Sequence, residues 1–96
     1  MEKIPFEKVL TAVKNYAEND CEIRFGLQRF DKQSQDHLIN CASRIVYHHH
    51  NPETYEPGGF TKAFLSNNLR ETIERADIMN QQFITQHMII LTNVKL

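Results

Sequence analysis

Apolar residues recur at helical spacing in four stretches of this chain. From Pro5 to Asn19 they fall at Phe6, Val9, Leu10, Val13 and Ala17, with Tyr16 beside them. That three-and-four rhythm predicts a helix with one buried face. Pro5 suits the first turn, where no N–H bond is lost, and Asn19-Asp20 ends the segment. From Ser34 to His49 the stripe is Leu38, Cys41, Ala42, Ile45 and Val46, with Ser34 as the N-cap. Phe60 to about Ala76 predicts a third helix with two apolar sides. Leu65, Leu69, Ile73 and Ala76 lie on one, with Phe60, Ala63 and Phe64 roughly opposite. A helix apolar on both sides is either central in its fold or shared with a partner subunit. The pattern breaks or bends between Asp77 and Asn80, either of which could cap the next helix. A fourth stripe then holds Phe83, Ile84, His87, Met88 and Leu91, widened by Ile89 and Ile90.

Between the first two helices the pattern is ambiguous. Ile23, Phe25 and Leu27 alternate with Glu22, Arg24 and Gly26, as in a short strand. A lone strand needs a partner from another chain, so an irregular or helical connector over residues 21–32 is favoured. Residues 51–57 form a loop bounded by Pro52 and Pro57. The expected fold is one mainly α domain over residues 1–96, a small bundle of three or four helices. A chain of 96 residues has a thin core, so a homo-oligomer is expected, with Leu65, Leu69 and Ile73 or Phe60 and Phe64 at the interface.

Composition narrows the function classes. The formal net charge of −1 leaves no electrostatic footprint for DNA or RNA. No apolar run approaches a membrane span, and Met-Glu-Lys-Ile-Pro has no signal-peptide pattern. Cys21 and Cys41 lack a metal or disulfide-framework spacing and are read as reduced thiols. His48-His49-His50 are adjacent on a helix end and do not all face one ion. They are read as cations or donors near the helix C-terminus, with no metal and no cofactor expected. No serine or cysteine lies in a strained-elbow motif with an orienting acid, so no enzyme is expected. His87, inside an apolar stripe, is read as a core or interface histidine.

The segment with most chemical content runs from Pro57 to Leu69. Gly58 and Gly59 at the helix start leave room for a ligand at the free N–H groups there. Asn is a poor helix-interior residue unless its amide is used, and Asn67 and Asn68 stand side by side. Phe60, Phe64, Asn67, Asn68, Glu71 and Arg75 share one projected side. Arg can pair with phosphate, Asn can read a base or ribose edge, and Phe can stack on a base. The expected ligand site is therefore Gly58, Gly59, Phe60, Phe64, Asn67, Asn68 and Arg75, with Arg75 the main anchor. The competing reading is structural: Asn67 ties a loop, and Glu71 pairs with Arg75 four residues on.

Residues 36–93 resemble a family of small tailed-phage accessory proteins. The match rests on Asp36-His37-Leu38, Arg44, Pro57-Gly58-Gly59-Phe60, Ala63, Leu65, Asn67, Leu69, Arg75-Ala76-Asp77, Asn80, Leu91 and Asn93. Asn68 departs from the usual aspartate and Thr92 from the usual aromatic residue, and residues 48–56 make a longer loop. Residues 1–35 lie outside the match, as an N-terminal extension. The resemblance implies a phage-encoded protein acting in the host bacterial cytoplasm and implies no activity. The expected function is a counter-defence protein that binds, without catalysis, a host-made anionic nucleotide signal. The alternatives are an inhibitor module docked on a host defence or replication enzyme, and a structural or packaging factor.

Overall fold

The computed structural model describes residues 4–52 and 58–96. The described residues form seven helices and no strand. The expectation of a mainly α fold holds. The expected number of helices does not, because two of the expected helices are each divided in two and the connector is itself helical.

α1 (Phe6–Asn19) starts at Pro5, whose backbone is extended, and buries Val9, Val13 and Ala17 at successive four-residue steps. Asp20 ends α1 and begins α2 (Cys21–Gln28). Its N–H bonds to the Tyr16 carbonyl at 3.0 Å, and its Oδ1 accepts the Ile23 N–H at 3.0 Å. The Tyr16 hydroxyl donates to the other carboxylate oxygen at 3.0 Å. This double use of one aspartate makes the connector a helix and rules out the strand. The alternation of Ile23, Phe25 and Leu27 is incidental: Ile23 and Leu27, four apart, are buried, and Phe25 is 68% exposed.

α3 (Lys32–His50) is the central helix, packed on α1, α4 and α7. Its cap is Asp31, not Ser34. The Asp31 carboxylate accepts the Ser34 N–H at 2.7 Å, so the helix begins two residues before the predicted start. That bond also holds the Asp31 carboxyl below the usual carboxylate range. At the other end Asn51 is buried. Its side chain accepts the Ile4 N–H at 3.0 Å and donates to the Tyr47 carbonyl at 2.9 Å, tying the residues ahead of α1 to the end of α3.

The expected third helix is two short ones, α4 (Gly59–Leu65) and α5 (Leu69–Arg75). The break is a left-handed turn at Asn67, with φ 61°. The Asn68 N–H bonds to the Ala63 carbonyl at 3.1 Å and the Asn67 N–H to the Phe64 carbonyl at 3.2 Å. This is a Schellman ending, with asparagine in the place that glycine usually takes. Asn68 then caps α5, accepting the Glu71 N–H at 3.1 Å. The two-sided helix therefore does not exist. Ala63 and Phe64 are buried, whereas Leu69 and Ile73 are 63% and 43% exposed.

Asp77 caps α6 (Ile78–Gln81) through the Asn80 N–H at 2.8 Å, and α7 (Ile84–Asn93) follows Phe83. Phe83, His87 and Ile90 point inward. The core joins Val9, Val13, Ile23, Leu38, Val46, Phe83 and Ile90 from α1, α2, α3 and the α6–α7 region. No helix among the described residues is long and apolar enough to cross a membrane.

A candidate ligand cleft between α3 and α4

One side of α3 carries His37, Cys41, Arg44 and His48, at steps of four, three and four residues, so all four project along one stripe. With Tyr47 they form one wall of a cleft of about 690 Å³. The facing wall is built from Gly58, Gly59, Phe60 and Thr61 at the start of α4, with Arg75, Asp77 and Asn80. Phe6 of α1 lies at its edge. The volume lies within the range of small-molecule sites, roughly 300–1,000 Å³.

Of the seven expected site residues, Gly58, Gly59, Phe60 and Arg75 line this cleft. The structure places the others elsewhere. Phe64 is buried beside His87, with ring centroids 6.1 Å apart. Asn67 and Asn68 are exposed at the α4–α5 turn, where their amides serve the backbone and Glu71. A Cβ on Gly58 would meet nothing within 4 Å among the described residues. At Gly59 a Cβ would meet the Cδ of Arg75 at 2.8 Å, so this glycine lets the arginine side chain lie across the start of α4. Arg75 is also paired through Nε with Glu71 at 3.3 Å, and Asn68 Nδ2 donates to the other Glu71 oxygen at 3.2 Å. Both sequence readings of Arg75 thus have a counterpart: it faces the cleft and it is part of the α5 cap network.

Behind the cleft runs a polar relay into the core. His37 Nε2 meets Asp77 Oδ2 at 3.0 Å. Burial pushes the Asp77 carboxyl up, but the Asn80 N–H and then His37 outweigh it, leaving the group below the usual range. Asn80 is buried and donates to Asp77 Oδ1 at 3.1 Å and to Cys41 Sγ at 3.5 Å. Its carbonyl oxygen lies 2.7 Å from His87 Nε2. Because Asn80 accepts there, the His87 proton is on Nε2, and Nδ1 is left without a partner among the described residues. Phe60, Phe64 and Phe83 enclose the ring, and burial lowers its pKa to about 3. Of the core and interface placements the sequence allows, the structure has His87 in the core, but with only one ring nitrogen hydrogen-bonded among the described residues, not fully satisfied as expected.

The relay is poorly arranged for nucleophilic catalysis. Cys41 Sγ is 3.7 Å from the same His37 nitrogen that faces Asp77. One nitrogen cannot accept a thiol proton while donating to a carboxylate. Burial also pushes the Cys41 thiol up, away from the reactive thiolate. Both cysteines are free thiols. No group of three or more ligating side chains suited to a metal ion occurs among the described residues. Near the end of α3, His48 is held low by burial and then by Arg44, and His50 by burial and then by His49.

Sequence reasoning missed Arg44, Tyr47, His48 and Phe6 as lining residues. The α3 residues were legible in principle as a polar stripe opposite the apolar one. Phe6 was not, because only the packing of α1 against α3 brings it there. Comparison with protein-family models, curated proteins and solved structures finds no match to this chain.

Proposed function

We propose that this chain is a phage-encoded, non-catalytic binding protein of the host cytoplasm that sequesters a host-made anionic nucleotide as a counter-defence. The observation that carries the reading is the make-up of the cleft. Aromatic rings of Phe6, Tyr47 and Phe60 share one cavity with the guanidinium groups of Arg44 and Arg75. Rings offer a surface for a base, and guanidinium pairs with phosphate oxygens. Among the described residues Cys41 and His37 are poorly placed as a nucleophile and base, which favours capture over turnover. Titration calorimetry against mono-, di-, tri- and cyclic nucleotides tests it. Saturable heat with at least one is expected, and none with any would end the nucleotide reading.

Self-association belongs to the same proposal. Leu69, Ile73 and Ile78 are each more than 40% exposed, on α5 and the start of α6. Around them acid and base alternate, with Arg70 paired to Glu74 and Glu71 to Arg75. A surface carrying both signs beside an apolar strip can meet its own copy without like-charge conflict. We assign it to a second copy of this chain. Sedimentation showing only monomer at micromolar concentration would overturn that assignment and move the strip to the alternative reading, an inhibitor module docked on a host enzyme.

A further inference from the structure

We infer that the cleft selects a nucleotide carrying a single phosphate group, and that Arg44 is its charged anchor. This rests on the nucleotide reading above. The argument is a census of charge. Five titratable or charged side chains of the described residues line the cavity besides Cys41 and Tyr47: His37, Arg44, His48, Arg75 and Asp77. Arg75 already pairs through Nε with Glu71, itself held by Asn68, and its side chain lies across Gly59. Asp77 is committed to His37 and to the capped start of α6. Among the described residues no carboxylate lies within ion-pair distance of Arg44. It is exposed in the middle of the α3 stripe, near enough to Cys41 and His48 to affect both electrostatically.

A ligand therefore finds one guanidinium with no ion-pair partner among the described residues, flanked by Tyr47, whose ring stands edge-on to Phe6 at 5.7 Å. One phosphate satisfies that cation. A second and third would need cations of their own and would share the cavity with the Asp77 carboxylate, which stays ionised at neutral pH. Like charge placed against a ligand is a standard means of rejection. The cavity thus favours a phosphomonoester or phosphodiester of a nucleoside over its triphosphate.

The test is calorimetry with adenosine and guanosine 5′-monophosphates, their 3′,5′-cyclic monophosphates and their triphosphates. The singly phosphorylated probes should bind at least tenfold more tightly than the triphosphate of the same base. Arg44→Ala should weaken binding at least tenfold and Arg44→Lys less, and Arg75→Ala should cost less than Arg44→Ala. Far-UV circular dichroism checks that each variant is folded, and Arg44→Gln provides a second neutral variant. Triphosphates binding as tightly as monophosphates would overturn the single-phosphate assignment and leave the nucleotide reading standing. An equal or larger loss in Arg75→Ala would overturn the choice of anchor. No heat with any probe would remove the nucleotide reading and this inference with it.

Discussion

The half of the molecule made by α1, α2, α3 and α7 and the half made by α4, α5 and α6 are held together differently. In the first, apolar stripes interlock: Val9, Val13, Ile23, Leu38, Val46, Phe83 and Ile90 share one core. In the second, α5 and α6, of seven and four residues, start at polar caps, and large apolar side chains such as Leu69 and Ile78 face outward. Burial dominates the first half, whereas in the second it is confined mainly to α4, and side-chain hydrogen bonds at Asn68 and Asp77 start α5 and α6. The cleft lies where they meet. Its α3 wall rests on the shared apolar core, and its α4 wall adjoins the capped helices α5 and α6.

Core truncation should separate the halves most clearly. Phe83→Ala removes a fully buried ring and should cost about 3–5 kcal/mol. Ile78→Ala, 74% exposed, should stay within about 0.5 kcal/mol. Urea unfolding of both variants measures this. A comparable loss at Ile78 would mean that its strip is buried in an assembly.

The next largest effect is on pH dependence. His87 stays neutral in the folded chain, with a pKa of about 3, against about 6.5 when unfolded. Between those values the unfolded chain binds the extra proton. Stability should therefore fall as pH drops below about 6.5, by up to about 1.4 kcal/mol per unit. Asp77 acts in a lower window. Its depressed folded value contributes stability above the ordinary carboxylate pKa of about 4, lost as pH falls through the folded value. Urea midpoints from pH 7 to 4 should show a slope that His87→Phe flattens. An unchanged slope in that variant would assign the acid sensitivity elsewhere.

Smaller effects test the cap-built half. Asn68→Ala removes the α5 cap and the contact to Glu71, and should cost about 1 kcal/mol. Arg75→Ala breaks an ion pair whose side chains are 58% and 45% exposed, and should cost roughly 0–1 kcal/mol of stability. Thermal melts at matched concentration distinguish them. A loss at Arg75 exceeding that at Asn68 would show the arginine holding α4 rather than resting on it.

The same contrast explains what the sequence reveals. The α1 and α3 stripes are continuous, so their faces are legible from spacing alone. The division of α4 from α5 is hidden because Leu65, Leu69 and Ile73 keep helical spacing across the turn. The signal was the Asn67-Asn68 pair, unfavourable inside a helix but suited to a left-handed residue followed by a cap. The helical course of residues 21–28 depends on Asp20 serving two helices, which periodicity does not register. The start of the cleft at Gly58 and Gly59 was legible as a short loop-to-helix turn. Arg44, opposite it, was not, because facing walls come from elements remote in sequence.

Asn51 has a consequence for folding rates. Its bonds to Ile4 bridge 47 positions along the chain, and it joins the carbonyl of Tyr47 as well. Such a clasp can close only after α1 has docked along α3, so it should be absent from the folding transition state and must be broken in every escape from the folded one. Asn51→Ala should then accelerate unfolding and leave refolding nearly unchanged. Asn51 would thus act as a latch on the lifetime of the folded chain rather than as a seed for its formation.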